Sequence, residues 1–358
     1  MLTKKQVEEI KEHLEKAQNP LFFFDNDNDG LCSFLLLQKY IGRGKGIPIK
    51  SFPELTPDYF RKIKELNADY IFILDKPVIS KEFFKEVRQI NVPIVWIDHH
   101  IIDKDNIPDF VNYYNPLFNN INELKKEFNK SRDGEPTTYL CYQVSQKKED
   151  LWIAVIGCIS DKFVPDFYSE FEKDYNDLSF KSENAFDIFY KSKIGKIAKM
   201  FSFALKDRTT NVINMLKFLM KAKSPYDVLE ENNKNYSIHN RFNQINKKYR
   251  ALIDKAIANK EPGKILFFQY SGDLSISAEL SNELSYLFQD KIIVVMYNSG
   301  IKVNISVRGK GVRKIVLGAI KNLNEARGGG HENAVGAQVK VEDLEKFKEN
   351  MTNLIKEN

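Results

Sequence analysis

Short apolar runs alternate with longer amphipathic stretches through the first half of the chain. LFFF (21–24) precedes LCSFLLLQKYI (31–41), YIFIL (70–74) precedes SKEFFKEVRQI (80–90), and VPIVWI (92–97) follows. Such alternation predicts βαβ units and a mostly parallel sheet with helices on both faces. Ahead of it, Val7, Ile10, Leu14 and Ala17 recur at helical spacing on a charged background, so residues 1–18 read as an amphipathic helix and not a signal peptide. EPTTYLCYQVSQ (135–146) and LWIAVIGCIS (151–160) read as buried helices.

From about 185 to 260 helical periodicity dominates and strand signals are few, ending at EPG (261–263). A second α/β pattern follows: KILFFQY as a strand, SAELSNELSYLF as a helix, then KIIVVMY and IKVNISVR as strands joined by an NSG hairpin turn (298–300). The fold class is α/β: a sheet domain at 1–185, a helical connector at 186–260 and a smaller mixed-sheet domain at 261–358.

Composition narrows this picture. The 358 residues are 42% hydrophobic and 29% charged, an ordinary globular balance. The net charge of +5, from 54 basic and 49 acidic residues, fits a polyanionic partner without demanding one. Cys32, Cys141 and Cys158 are odd in number and form no CxxC pair, which argues against a disulfide framework and for a reducing compartment. No apolar stretch reaches membrane-spanning length, so a cytoplasmic protein with no membrane partner is expected.

Candidate chemistry lies where the apolar runs stop. LFFF ends in Asp25, Asp27 and Asp29, YIFIL in Asp75, VPIVWI in Asp98, His99 and His100, and GCIS in Asp161. One aspartate after a strand commonly caps the next helix. Several such strand ends on one sheet edge describe a ligand site, because open α/β sheets bind ligands at the carboxyl ends of their strands. His99 and His100 add weight, since the chain has only five histidines. Oxygen ligands with imidazole and no thiolate favour Mn2+ or Mg2+ over structural zinc. The ligands outnumber the needs of one ion, so two ions roughly 3.5–4 Å apart, as in phosphate-ester hydrolases, are expected.

In this order DNDNDG (25–30), LD (74–75), DHH (98–100) and SD (160–161) resemble the motifs of the DHH phosphoesterases. GGGHENAVGA (328–337) resembles the glycine-rich signature of the DHH-associated C-terminal domain. The resemblance implies an active site between the two domains. It implies that Asp25, Asp27 and Asp161 serve one metal, that Asp29 and His99 serve the other, and that Asp75 bridges them. It also implies that Asp98 orients His99 and that His100 meets the scissile phosphate. The D-x-D-x-D-G form is similar to the RecJ nuclease branch, and the chain's composition to archaeal members. Two features depart from that branch: LDKP (74–77) follows the second-motif aspartate, and no OB-fold follows GGGH.

For the second domain the resemblance implies substrate binding by Ser306 and Arg308, in an S-x-R element, and by Gly328, Gly329, Gly330 and His331. GGGH is read as a loop, either a phosphate cradle or a plain tight turn. Trp96 and Trp152 read as core, His13 and His239 as surface residues on polar helices. The implied function is an Mn2+- or Mg2+-dependent exonuclease on single-stranded DNA or RNA, with replication, repair or RNA-processing proteins as further partners. A phosphodiesterase acting on dinucleotides, cyclic dinucleotides or a nucleotide 3′-phosphate is the alternative. A non-catalytic replication scaffold is the third reading.

Overall fold

The computed structural model describes residues 1–51, 54–119, 134–260 and 262–356; Glu261, the first residue of EPG, lies outside them. The chain forms two compact units, Met1–Phe242 and Asn243–Asn358. No helix among the described residues is long and apolar enough to cross a membrane.

In the first unit α1 (Lys4–Lys16) begins at a capping box between Thr3 and Gln6 and buries Ile10 and Leu14. Five parallel strands follow, β1 (Pro20–Asp25), β2 (Lys45–Ile49), β3 (Tyr70–Leu74), β4 (Ile94–Ile97) and β5 (Val111–Tyr114), in the order β2-β1-β3-β4-β5. The apolar runs are buried on both parities because both sheet faces are covered. Phe23, Ile71, Ile73 and Trp96 pack with Ile63, Phe83 and Val87 of α3 (Phe60–Glu65) and α4 (Lys81–Ile90). On the other face Phe24 stacks on Phe34 of α2 (Asn28–Ile41), ring centroids 5.1 Å apart, and Phe22 stacks on Phe72.

The two buried helices read from the sequence are α5 (Thr137–Ser145) and α6 (Leu151–Ser160), both packed against α2. Further helices follow: α7 (Tyr168–Asp174), α8 (Ala185–Lys191), α9 (Lys193–Leu205), α10 (Thr209–Leu219) and α11 (Pro225–Leu229). The division between units falls within α12 (Tyr236–Ala258). Trp96 and Trp152 are core, and all three cysteines are buried and free. The two helical histidines differ from expectation. His239 is buried, with Nε2 2.8 Å from the Val228 carbonyl, and half-buried His13 meets the Tyr70 hydroxyl at 2.8 Å. Both rings are drawn in by a polar partner that sequence periodicity does not reveal.

The second unit carries a mixed sheet, β6 (Ile265–Ser271), β7 (Ile292–Asn298), β8 (Lys302–Arg308), β9 (Arg327–His331) and β10 (Ala334–Lys340), in the order β6-β7-β8-β10-β9. Only β6 and β7 are parallel. The β7–β8 hairpin turns at Ser299–Gly300, with Gly300 at φ 103°. One face, with Val303, Ile305, Val307, Val335 and Val339, forms a core with α14 (Val312–Ile320) and α15 (Leu344–Lys356); α13 (Ser277–Leu287) covers β7 and β8 from the other side. GGGH is therefore not a loop but an edge strand paired with β10. Glycine-rich strands lack the β-branched signal by which a strand is read.

Candidate metal centre and phosphate-binding face

The order β2-β1-β3 places the topological switch between β1 and β3, where a parallel sheet opens a crevice at its carboxyl edge. Asp25 ends β1, Asp75 follows β3, and Asp98, His99 and His100 follow β4. Gly30 brings α2 onto this edge: a Cβ there would sit 2.4 Å from the Asp25 carbonyl oxygen. Asp27 caps α2 by accepting the Gly30 amide at 3.0 Å. Asp29 reaches across to the first turn of α5, where Oδ2 accepts the Thr137 amide at 2.9 Å and Oδ1 the Thr138 amide at 2.7 Å. Helix capping and carboxylate clustering are thus realised by the same residues.

His99 is the hub. Its Nε2 lies 3.4 Å from Asp75 Oδ1 and 3.8 Å from both Asp29 Oδ2 and Asp161 Oδ2. Two overlapping groups have ligand atoms all within 4.8 Å of one another: Asp75, His99 and His100, and Asp29, His99 and Asp161. Asp75 adopts φ 60° and receives the Thr137 hydroxyl at 3.2 Å. Asp98, fully buried, lies 2.8 Å from His100 Nδ1. Asp98 thus meets the His100 ring, a contact the resemblance did not name, and also feels the neighbouring His99. Asn115, beyond β5, donates to the His100 carbonyl and to the Tyr113 hydroxyl, each at 2.8 Å.

Electrostatics follow from the crowding. Burial, then the charges of Asp29, Asp27 and Asp25, hold the Asp75 carboxyl well above the usual range. Burial, then Asp25 and Asp29, push Asp27 up to about 8, against the pull of the Gly30 amide hydrogen bond, which favours the ionised form. Burial also works against an ionised Asp98, but the His100 and His99 imidazoles outweigh it and hold the carboxyl below its ordinary value. Burial pushes the Cys32 and Cys158 thiols far up, so neither offers a thiolate. The donor set is carboxylate and imidazole at the edge of a closely packed core. It fits a hard divalent cation, which would relieve the repulsion that raises Asp27 and Asp75.

Sequence reasoning missed Thr137, Thr138, Asn115 and Lys76. EPTT ahead of a helix was the signal available for the threonines, because Pro136 at the N-cap leaves the first-turn amides for an acceptor from elsewhere. Lys76 Nζ lies 2.9 Å from Asp25 Oδ1.

In the second unit, strand register assembles the other expected residues. Ser306 pairs across from Gly336, which pairs across from Gly329; Arg308 pairs with Ala334, which pairs with His331. These two neighbouring rows share the face opposite the core. A Cβ at Gly329 would meet nothing within 4 Å, and Gly336 adds no side chain, so the β9–β10 backbone forms an open floor. Gly330, at φ 139°, could not take a Cβ, which would fall 2.4 Å from the Ala334 carbonyl oxygen. Gly328 instead packs toward Ile320. Ser306 Oγ donates to Ser277 Oγ at 3.0 Å, and Arg308 Nε donates to Asn282 Oδ1 at 2.6 Å, so α13 walls the floor and anchors the guanidinium.

Residues 260–357 match the family model described as the DHHA1 domain. No curated protein matches the sequence. Among solved structures, RecJ from Thermus thermophilus in complex with Mn2+ is similar at 14% identity, over 98% of this chain and 54% of that one, with TM-score 0.69. The chain thus spans about half the length of that relative. A manganese-bound exonuclease RecJ aligns at 14% identity over 98% and 94% of the two chains, TM-score 0.64. The DHH domain of a member of a family of ribosomal proteins aligns at 15% over 99% and 92%, TM-score 0.68. The chain has the RecJ-type DHH fold. In that fold Asp25, Asp75 and the DHH triplet lie at the carboxyl ends of β1, β3 and β4, Asp29 and Asp161 reach His99 from α2 and the end of α6, and the DHHA1 match covers the whole glycine-floored sheet.

Proposed function

We propose that this chain is a divalent-metal-dependent phosphodiesterase that hydrolyses single-stranded DNA or RNA from an end. The observation that carries the reading is the convergence on His99. Its Nε2 lies 3.4 Å from Asp75 and 3.8 Å from both Asp29 and Asp161, beyond the carboxyl edge of the sheet. Asp29, Asp75, His99 and Asp161 would hold Mn2+ or Mg2+. A cation bound there supplies a Lewis acid that polarises a phosphoryl oxygen and lowers the pKa of water.

The protein's own residues do the rest. Asp98 accepts from His100 Nδ1, which fixes the ring and leaves Nε2 to meet phosphate charge or pass a proton to the leaving oxygen. Asn115 holds the His100 backbone, so the ring is set at both ends. Thr137 and Thr138 fix Asp29, and Thr137 also fixes Asp75, so the carboxylates are placed before any ligand arrives. In the second unit Arg308, held by Asn282, presents a planar cation beside the Gly329–Gly336 floor, a surface suited to phosphodiester oxygens passing close to the backbone. Long single strands fit an open floor better than a closed pocket would.

The test is degradation of single-stranded DNA and RNA, each labelled separately at the 5′ and 3′ end, with Mn2+ and with a dinucleotide alongside. Ladders from one end are expected, reduced at least about 10³-fold in Asp98→Ala with His99→Ala, the scale of losing a preorganised catalytic group. A manganese-loaded protein inert on every strand would end this reading. Rapid loss of the dinucleotide with long strands intact would move the substrate to small phosphodiesters.

A further inference from the structure

The number of carboxylates suggests two ions, and Lys76 changes that count. It stands next to Asp75 in LDKP and is 2% exposed. Its Nζ lies 2.9 Å from Asp25 Oδ1 and 3.2 Å from the Ser51 carbonyl oxygen. Its own carbonyl accepts the Trp96 indole N–H at 3.0 Å. The left-handed turn at Asp75 sends successive side chains apart. Asp75 goes to Thr137 and His99, and Lys76 goes to Asp25.

The clusters reflect this division. Among the described residues, the two groups that could share an ion are Asp75, His99 and His100, and Asp29, His99 and Asp161; neither contains Asp25 or Asp27. A buried ammonium persists only where a carboxylate and a further acceptor compensate it, and Asp25 and Ser51 do so here. A dication brought to Asp25 would share that carboxylate with a fixed charge of its own sign, where burial weakens screening.

We propose that the Lys76 ammonium is a resident cation in one of the two cation places of this site, so that the chain binds one divalent ion tightly, at His99. Asp25 then serves Lys76 and not a metal. The inference rests on the metal-dependent reading above and specifies its ion count.

The experiment is Mn2+ binding to the full chain, read from the free-ion electron paramagnetic resonance signal and from metal content after gel filtration. The native chain should retain one Mn2+ with the spectrum of an isolated ion. Lys76→Met should take up a second, at least about tenfold more tightly than the native chain does, with the spectrum of an exchange-coupled pair. Asp25→Asn should keep the one ion, bound no more than about tenfold more weakly, because the Lys76 ammonium left without its carboxylate partner repels it. Two tight ions in the native chain, one ion in Lys76→Met, or loss of the ion in Asp25→Asn would each overturn the proposal. Two native ions would leave the phosphodiesterase reading intact. No bound ion, with strand hydrolysis insensitive to chelator, would remove that reading and this one together. If Lys76→Met does not fold, the native count and Asp25→Asn decide.

Discussion

The two sheets of this protein carry their chemistry in different places. In the first unit five parallel strands point their carboxyl ends one way, and the candidate ligands cluster at those ends, at Asp25, Asp75 and Asp98–His100. In the second unit the strands are largely antiparallel, and the candidate chemistry lies on a face: Arg308, with Ser306 buried beneath α13, alternates with the core residues Ile305 and Val307. A parallel sheet gathers loops at one edge, so it builds a deep cluster from residues distant in sequence. An antiparallel sheet offers a surface whose period is two, so half of each strand holds the core and half meets a ligand. The first arrangement suits buried charge and bond-breaking, the second a grip on an extended polyanion.

Glycines break this comparison most sharply. Gly30→Ala places a methyl 2.4 Å from the Asp25 carbonyl, a backbone atom that cannot swing aside. The expected cost is about 2–3 kcal/mol, from overpacking at a rigid contact. Because α2 carries Asp29, the same change should weaken Mn2+ binding. Gly329→Ala, on the open floor, should leave stability within about 0.5 kcal/mol and Mn2+ binding unaltered. Urea unfolding and Mn2+ titration of both variants measure the pair. Equal stability of the two would refute the claim that close packing sets the metal edge.

That asymmetry also explains what could be read from the sequence. Where apolar runs terminate in aspartate or DHH, strand and site are announced together, so the first sheet's central strands and its donor residues were visible. The contacts that tune the site were not. Lys76 meets Asp25 across 51 positions, and the Thr137 amide meets Asp29 across 108. Neither partner leaves a local pattern. The Asp98–His100 ring contact, at the strand end where Asn115 holds the His100 carbonyl, likewise leaves no pattern in DHH itself. In the second unit, β9 reads as a loop because its pairing with β10 comes from register and not from β-branched side chains.

Arg308→Ala tests whether the second face grips substrate without taking part in bond cleavage. Losing a charge-assisted contact to phosphate costs about 1.5–3 kcal/mol. The expectation is a rise in KM of about tenfold or more on long strands, with kcat less affected and Mn2+ binding unchanged. A dinucleotide, with fewer phosphates to hold, should feel the change less. Steady-state kinetics on both substrates separates the outcomes. An equal fall in kcat on both would place Arg308 at the reacting phosphate and erase the division of labour between the sheets.

The smallest expected effect is on pH, and it belongs to the first unit. Asp27 is pushed up to about 8 and Asp75 well above its ordinary value, each by burial first and neighbouring carboxylates next. An unfolded aspartate titrates near 3.8. Between that value and about 8 the folded chain holds protons that the unfolded chain has released, so metal-free stability is fully present below the unfolded pKa and is lost as pH rises through the folded one. Asp98 runs the other way: its carboxyl is held low, and its contribution is lost as pH falls through the folded value, below the window of interest. The net expectation in chelator is a melting temperature lower by about 2–4 °C at pH 8 than at pH 5.5, for each kcal/mol lost in a domain of this size. Mn2+ should reverse the trend, because the cation takes the place of the protons and binds better as they leave. A metal-free melting temperature that climbs steadily over this range would mean that the carboxylates are solvated, and that the first sheet's edge is no more a charge trap than the second sheet's face.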